Sequence, residues 1–454
     1  MGYIAGMAEA RGCVRVMRAS WSRREFVRSA AAVGATVLTG SRTVFAAARP
    51  KIVEADAAWR VTWDAAIATL AGNVASTLPK YAKPCLIEGS TYRGIWQECG
   101  PHEGLVYAQL KRWLPAGNVD PLDVARNNHM AFFALQREDG QLPASVKMSD
   151  VGFAQIQMVV PIAATAWELA QLRADDKLLH TAYRACSDWD AWLRRYRNTR
   201  GTGLVEGFCT YDTGHDNSPR WKGMPNRCAD GDARKCPAAP GLPRLCPDLS
   251  ATVFGARRAL AEMARALGRR EDEARWLEDA EQIRKLTLDK LYSEEDAAFY
   301  DLDSDNRFVR VRSDVISRVL GEHVLDTSQR HDRTIFEAVW KRQLHNPHAF
   351  WAPYPLTSIA VDDPAFVRPI PRNSWGGASQ ALTALRAPRW MRHYGQDEAE
   401  RVLMHAWCDA IARHAEFRQQ LDPETGVFTQ PDPGGYSPAA LVFLAFAAAL
   451  SAAE

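Results

Sequence analysis

Apolar residues recur at every third or fourth position along most of the chain, which is the spacing of helices that bury one face. This spacing predicts about twelve helices, at residues 56–77, 103–113, 121–136, 152–172, 176–196, 249–267, 271–291, 311–320, 328–343, 375–394, 397–420 and 436–451. Strand-like alternation is limited to short stretches such as "AAFYDLD" and "RFVRVRS", so neither a parallel sheet nor a β-sandwich is expected.

Twelve successive helices joined by loops of alternating length predict an all-α fold, an (α/α)6 toroid in which six helical hairpins close into a ring. A linear array of helical repeats is the alternative. No sequence period marks such an array, and the long loops are rich in Trp, Arg, Asp and Pro. In a toroid of this kind, the long loops at one end would form the funnel of an active site.

The first 48 residues have the parts of a twin-arginine export signal. Arg23 and Arg24 lie in "SRREFVR", which precedes the short apolar stretch "SAAAVGATVLTG" and small residues up to Ala48. Cleavage is predicted after Ala48, which leaves residues 49–454 as a single periplasmic or secreted domain. Neither this stretch nor "AALVFLAFAAAL" near the carboxyl end is long enough to span a bilayer, so no membrane insertion of the mature protein is expected.

Charge and cysteine usage narrow the range of partners. The formal net charge is +2 and the basic residues are interleaved with acidic ones, so no nucleic-acid partner is expected. Cys228, Cys236 and Cys246 lie in the Pro/Gly-rich stretch "NRCADGDARKCPAAPGLPRLC", where an oxidising compartment predicts at least one disulfide. Their spacing lacks CxxC pairs and the stretch lacks histidine, so no metal site is predicted, and no phosphate-binding or other cofactor motif is found.

Four long loops combine aromatic residues with carboxylates, amides and guanidinium groups. They span residues 91–104, 210–221, 350–377 and 416–426. A sugar needs both hydrogen-bond donors and acceptors for its hydroxyls, while its C–H face stacks on aromatic rings. The predicted substrate is therefore an oligosaccharide or another glycoside.

Three of these loops resemble one family of enzymes. "RGIWQECGPHEG" resembles the "RG-x-x-WD-x-G-x-H" loop, "TGHDNSPRW" the "SGWDNSPRW" loop and "LDPETG" the "YDPETG" turn of the clan that joins trehalases, glycoside hydrolase family 63 α-glucosidases and mannosylglycerate-hydrolase-like enzymes. The resemblance implies hydrolysis of α-linked glucosides or mannosides with inversion, from the non-reducing end, with Asp216 as general acid. The residues expected to bind the sugar are Arg93, Trp96, Gln97, Asp212, His215, Arg220, Trp221, Arg372, Trp375 and Gln419.

The role of Asp216 is chemically reasonable. An inverting glycosidase needs a protonated carboxyl at the glycosidic oxygen and a second carboxylate about 6.5–9.5 Å away that activates water. Burial and a neighbouring negative charge would raise the pKa of Asp216 and keep it protonated. In the alternative interpretation the loop is only structural: Asp216 caps a turn and Arg220 pairs with a carboxylate.

The sequence departs from the clan at the position of the catalytic base. Gln419 stands where the clan has its catalytic glutamate, and Gln97 where it has a sugar-binding aspartate. "NSWGGASQAL" also lacks the arginine of the clan's "YWRGPxW" stretch; Arg372, three residues before Trp375, is expected to replace part of its charge.

Three explanations are open for the missing base. Glu98 supplies the base, which is the preferred hypothesis; Glu416 or Glu424 reaches the site; or hydrolysis is lost and a non-catalytic sugar-binding protein remains. A polysaccharide lyase, which would need a Tyr or His base near an arginine, is a further alternative that the near-neutral charge does not favour.

Overall fold

The computed structural model describes residues 49–75, 78–371, 374–430 and 434–452. The export signal, including Arg23 and Arg24, and the proposed sugar ligand Arg372 lie outside the described residues, so those predictions are not tested by it. All described residues belong to one compact unit, Ala46–Glu454.

The described part of the chain is rich in helices, as the apolar spacing predicts. They are α1 Lys51–Ala55, α2 Ala57–Asn73, α3 Gly100–Gln109, α4 Pro121–Ala134, α5 Ile162–Arg173, α6 Asp176–Tyr196, α7 Pro247–Ala266, α8 Arg270–Leu291, α9 Val315–Gly321, α10 Arg330–Val339, α11 Ala381–Met391, α12 Asp397–Ala412 and α13 Ser437–Ala452. Local chemistry sets several boundaries: Asp56, Asp120 and Asp175 each cap the amino terminus of a helix with a side-chain carboxylate.

Alternate helices form an inner set. The helices α3, α5, α7, α9, α11 and α13 contact one another in that order, and α13 contacts α3. Most residues of α13 are buried, as is expected of a helix that is apolar on all sides. The helices between them in the chain, such as α6, bury one face and expose charged residues on the other.

The strands are two or three residues long and lie in the connections. They are β1 Val74–Ala75, β2 Cys85–Leu86, β3 Gly94–Trp96, β4 Ser145–Lys147, β5 Val151–Gly152, β6 Glu206–Gly207, β7 Arg244–Leu245, β8 Tyr292–Ser293, β9 Ala298–Phe299, β10 Asp301–Leu302, β11 Phe308–Val309, β12 Ser379–Gln380 and β13 Gln420–Leu421. They form antiparallel sheets in the orders β1-β2, β3-β4-β5, β11-β10-β7-β6, β8-β9 and β12-β13. The two strand-like stretches predicted from sequence contribute β9, β10 and β11.

Several helix predictions were too long, and that at 311–320 begins four residues before α9 does. The stretch 152–161 is an extended connection, and α5 begins only after Pro161, which occupies its N-cap. The predicted helix 375–394 begins at Ala381 because the preceding residues form β12, and 397–420 ends at Ala412. None of the described helices is both long and apolar enough to cross a membrane.

Candidate active site

Glu98 lies in the short turn between β3 and α3. β3 pairs with β4, so that Trp96 lies opposite Ser145, and the backbone N–H of Gln97 continues the pairing by donating to the carbonyl of Ala144 (2.9 Å). Helix α3 then begins after Cys99, with a proline in its first turn. Glu98 is thereby fixed between a strand and a helix, with its side chain buried.

Asp216 lies in a loop held by two short 3-10 turns, Thr210–Asp212 and Pro219–Trp221. Asp212 anchors the first turn: its carboxylate accepts hydrogen bonds from the backbone N–H groups of Phe208 (2.8 Å) and Ile156 (2.9 Å). Between the turns, Gly214 has a φ of 61° and Asn217 one of 56°, the left-handed conformation that these two residue types tolerate. Asp216 itself is only partly buried at the tip of the loop.

The loop that carries Asp216 contacts the turn that carries Glu98. A Cβ atom at Gly214 would overlap with Oε2 of Glu98, so the carboxyl group lies directly against the main chain two residues before Asp216. No protein partner for this oxygen is found among the described residues. The structure thus brings together the two carboxyl groups that the sequence nominates for catalysis.

The surroundings of Glu98 favour the protonated, neutral form of its carboxyl group more than solvent does. Burial raises the pKa of Glu98 to about 7, and the negative charge of Asp216 adds to the rise. Arg386, Arg318 and a hydrogen bond from Gln157 act in the opposite direction. A carboxyl group with a pKa near 7 changes protonation at neutral pH, as an acid–base catalyst must.

The aromatic residues predicted to contact sugar gather beside this pair. The backbone N–H of Trp375 donates to the carbonyl of Asp216 (3.0 Å), and the ring of Trp375 lies 5.1 Å from that of His215. Trp96 packs in one small cluster with Trp375. The guanidinium of Arg318 lies over the Trp375 ring at 5.0 Å. The first, second and third predicted loops therefore meet at one site.

Gln419 joins the site from the fourth loop, immediately before β13. Its side-chain oxygen accepts hydrogen bonds from the hydroxyl of Tyr92 (2.9 Å) and the amide of Gln430 (2.8 Å), and its side chain is buried. Glu416 instead pairs with Arg418, and Glu424 with Arg368, both in exposed positions. The structure thus gives no support to a base from either of these glutamates.

Arg220 is predicted to contact sugar, but the structure buries it in the second 3-10 turn of the loop that carries Asp216. Its guanidinium is buried and donates to both oxygens of Asp248 (2.7 Å each) and to both oxygens of Asp301 (2.8 and 2.6 Å). Its Nη1 also donates to Nδ1 of His215 (3.1 Å). Every N–H group is directed to a protein acceptor, so Arg220 orients the loop instead of facing a ligand, as the structural interpretation of this arginine expects.

Three further predicted sugar ligands are also occupied by the protein. Asp212 is fully buried and pairs with Arg197 (3.4 Å), Trp221 is buried and donates to the hydroxyl of Thr213 (2.9 Å), and Gln97 donates to the carbonyl of Pro143 (3.0 Å). Their residue types suit a sugar, but buried polar groups are normally satisfied by the protein itself. Arg93, in contrast, is exposed at the start of β3.

His215 is neutral and its tautomer is fixed by its neighbours. Burial lowers the pKa of His215 to about 4, and Arg318 lowers it further, against the raising effect of Asp314. Because Arg220 can only donate, Nδ1 accepts, and Nε2–H must donate to Asp314 Oδ1 (2.7 Å). His215 therefore shapes the wall of the site as a neutral imidazole.

Several residues of the site were missed by sequence reasoning. They are Gln155, Gln157, Arg318 and Arg386, and the buried carboxyl groups of Glu88 and Glu103 lie next to the site. Gln157 has a φ of 47° and accepts a hydrogen bond from Gln155 (2.8 Å), which holds it towards Glu98. Burial raises the pKa of Glu88 well above its ordinary value, and that of Glu103 to about 7. For Gln155 and Gln157 the available signal was the motif "QIQ", which was assigned to the predicted helix 152–172 because of its apolar spacing.

The predicted disulfide among Cys228, Cys236 and Cys246 is not found. All eight cysteines of the described residues are free thiols. Cys246 is the N-cap of α7 and its sulfur lies against Gly207, whereas Cys228 and Cys236 pack in a separate cluster with Cys209. Proximity along the sequence did not reveal that the loop packs these thiols in two separate places.

One group of the described residues has the spacing of metal ligands, Cys246, Asp248 and Asp301. The guanidinium of Arg220 forms bidentate hydrogen bonds with both carboxylates, so a fixed positive charge already occupies this position. The arrangement fits an internal ion-pair cluster better than a cation site.

Comparison with known proteins identifies the family. Residues 120–437 match the family described as the mannosylglycerate hydrolase MGH1-like glycoside hydrolase domain. The structure is similar to GH63 mannosylglycerate hydrolase from Thermus thermophilus in complex with Tris and D-glycerate, with a TM-score of 0.65 and 17% identity over 84% of this chain and 99% of that chain. It is also similar to neutral trehalase from Saccharomyces cerevisiae, with a TM-score of 0.61 and 13% identity over 82% of this chain and 76% of that chain.

No curated protein sequence matches at a significant level. At these identities the likeness between structures shows the fold alone, whereas the family match spans well over half of the chain. The resemblance that the loops indicate is therefore confirmed. The chain belongs to the MGH1-like glycoside hydrolase family.

Proposed function

We propose that this glycoside hydrolase removes a sugar from the non-reducing end of an α-linked glucoside or mannoside with inversion, with Asp216 as general acid and Glu98 as base. The observation that carries the proposal is the contact between the Glu98 carboxyl group and Gly214, in the loop that bears Asp216. An inverting mechanism needs two such groups at one site, one protonated and one able to take a proton from water.

The environment of Glu98 supports its role as base. Among the other buried glutamates here, Glu88 accepts a hydrogen bond from the hydroxyl of Tyr436 (2.7 Å), and Glu103 lies within α3. Glu98 contacts the Asp216 loop at Gly214, and its pKa of about 7 leaves a substantial ionised fraction at neutral pH. Asp314 also contacts this loop, but both of its oxygens accept hydrogen bonds from protein side chains. Gln419, held by Tyr92 and Gln430, would orient a hydroxyl or the attacking water through its amide group.

The substrate class follows from the family and the aromatic wall. Trp96 is only partly buried and offers a ring face on which the C–H face of a hexose can stack, whereas Trp375 is buried and packs in the same cluster. The names of the similar structures, a mannosylglycerate hydrolase and a trehalase, support gluco- and manno-configured α-linkages. We further infer that the closed order of contacts among the six inner helices corresponds to an (α/α)6 toroid, with these loops at one end.

The twin-arginine stretch supports an exported enzyme that acts in the periplasm or outside the cell. Fractionation of cells that produce the full chain tests this part, with Arg23→Lys and Arg24→Lys together as the variant. Mature protein in the periplasm that is lost in the variant is the expected result. Equal amounts of cytoplasmic protein for both chains would reject export.

An activated substrate separates the acid from the base. The fluoride ion leaves an α-glycosyl fluoride with little protonation. Hydrolysis of this substrate therefore needs the base but not the acid. Asp216→Asn is expected to lose more than about 100-fold on a natural α-glycoside and much less on the fluoride, because general acid–base assistance contributes about 10²–10⁴-fold. Glu98→Gln is expected to lose activity on both substrates.

The surface carboxylates provide matched controls for this experiment. Glu416→Gln and Glu424→Gln remove the two alternative bases, both of which are in exposed ion pairs. Their activity is expected to stay at the wild-type level. Loss of activity in either control, with retention in Glu98→Gln, would move the base to the last loop. Saturable sugar binding with no product from the wild type would instead favour the binding protein that Gln419 suggests.

A further inference from the structure

Three arginine side chains meet around one small cavity behind the candidate active site. Arg386 and Arg389 lie three residues apart on α11, so their side chains share a face, and Arg318 comes from α9, which α11 contacts. The remaining wall is formed by other residues of these helices, by Asp314 and Glu322 at the two ends of α9, and by Val159 and Val160. The cavity volume of about 20 Å³ accommodates one water molecule or one monatomic ion.

Several N–H groups of these arginines have no acceptor in the described part of the protein. They are Nη2 of Arg318, Nε and Nη1 of Arg386, and Nε of Arg389, all buried. Other donors are used: Arg386 Nη2 donates to the Glu98 carbonyl (3.3 Å), Arg318 Nη1 to the Thr213 carbonyl (2.6 Å) and Arg389 Nη1 to Glu168 (2.9 Å). Buried charged donors are normally satisfied, so an acceptor that is not part of the protein is expected in the cavity.

The charge of the wall decides what kind of acceptor this is. Asp314 accepts hydrogen bonds on both oxygens, Oδ1 from His215 (2.7 Å) and Oδ2 from Arg318 Nε (3.3 Å) and Thr383 (3.1 Å). Burial raises the pKa of Glu322, the other carboxyl group of the wall, to about 8, so that it is mostly neutral at pH 7. Arg389 also pairs with Glu168 (2.9 Å), and Arg318 Nη1 lies 3.5 Å from Asp248, both outside the wall. No ion pair of Arg386 is found among the described residues, so the positive charge in excess at the cavity is that of Arg386.

We propose that this cavity is a binding site for a monatomic halide anion, chloride under physiological conditions, held by Arg318, Arg386 and Arg389. Space for a single water-sized occupant suits a monatomic ion better than sulfate, phosphate or a carboxylate group. A halide accepts several N–H donors at once and offsets the excess charge, which a water molecule does not. The site goes beyond the hydrolysis proposed above and does not depend on it, since neither the acid nor the base binds the ion.

Thermal unfolding at constant ionic strength tests halide binding. Sodium chloride replaces sodium gluconate, whose anion is too large for the cavity, at a fixed pH of 7. A site with an affinity of about 10 mM would raise the Tm of a roughly 400-residue chain by about 2–3 °C between about 5 and 500 mM chloride. Bromide is expected to have a similar effect.

Two variants distinguish anion binding in the cavity from general effects of salt on stability. Arg386→Met removes two of the unpartnered donors and is expected to abolish the difference between chloride and gluconate. Arg257→Met is the matched control, because Arg257 is also a buried arginine but pairs with Asp190 (2.8 Å) away from the cavity. It is expected to retain the full chloride shift, whatever its own Tm.

A crystal of the wild-type enzyme soaked in bromide gives a direct readout that does not depend on any variant. An anomalous difference peak among Arg318, Arg386 and Arg389 is the expected result. Equal Tm values in chloride and gluconate would overturn the proposal. So would a bromide crystal without a peak in the cavity, because water alone would then satisfy these donors.

Discussion

Replacing Glu98 by Gln should make the protein more stable and less active at the same time. In the folded protein, burial raises the pKa of Glu98 from 4.5 to about 7. One pKa unit corresponds to about 1.4 kcal/mol, so this rise is a cost of roughly 3 kcal/mol for the ionised form at high pH. Glutamine has nearly the same shape and no charge, so it avoids that cost against Gly214.

The sign of the pH dependence follows from proton binding. Between pH 4.5 and about 7 the folded state holds the Glu98 proton that the unfolded state has released, so the free energy of unfolding falls as pH rises through this window. Stability from this group is thus present below pH 4.5 and lost above about 7. In the Gln variant this part of the fall disappears.

The assay compares Tm for wild type and Glu98→Gln at pH 5 and pH 8. With an unfolding entropy of about 2 cal/mol/K per residue, 3 kcal/mol corresponds to about 3–4 °C for roughly 400 residues. The variant should gain this amount at pH 8 and much less at pH 5, while hydrolysis falls at least about 100-fold.

Glu103→Gln is the matched control for this prediction. Burial also raises the pKa of Glu103 to about 7, against the lowering effects of the Cys99 thiol and Arg386, but Glu103 lies within α3 and not at the loop that carries Asp216. It should gain stability at pH 8 and retain activity. If Glu98→Gln is less stable than wild type at pH 8, the electrostatic account of the site is wrong.

Further predictions concern the loop that carries Asp216 and the residues that contact it. Gly214→Ala places a Cβ atom against Glu98 at a φ of 61°, so we expect a loss of at least about 1 kcal/mol and a more than tenfold fall in turnover, measured by thermal unfolding and a hydrolysis assay. Unchanged turnover would show that the two groups do not share a site. Arg220→Met leaves Asp248 and Asp301 buried without their partner and should cost about 3–5 kcal/mol at pH 7; a loss below about 1 kcal/mol in thermal unfolding would contradict the ion-pair account. Because Glu98 must be ionised to act as base, kcat/KM should rise with pH through about 7, and a profile that falls there would reassign its role.

The sequence predicts most of the helices because their signals are local. Helix α6 is predicted at 176–196 and occupies Asp176–Tyr196, since its apolar face is continuous and Asp175 caps it. The prediction at 152–172 fails in its first half because apolar spacing alone does not distinguish a helix from a buried extended segment. Gln157, with a positive φ, lies in that half.

The candidate site is predictable only as far as its loops are recognisable from motifs. Asp216 and Glu98 lie in such loops, and the structure brings them together. The partners of Arg220 are 28 and 81 residues away along the chain, so the sequence does not show that this arginine is consumed by internal ion pairs. Arg318 and Arg386 were missed for the same reason, because an arginine in a helix with no motif around it is expected to lie at the surface.

The central claim is that this enzyme hydrolyses an α-glycoside with inversion at the site formed by Asp216 and Glu98. The most direct test incubates the mature wild-type protein with α- and β-linked gluco- and manno-oligosaccharides and follows the products by proton NMR from the first minutes. The account predicts a released monosaccharide in the β-anomeric form from an α-linked substrate, with no such product from Asp216→Asn. First release of the α-anomer would contradict an inverting pair.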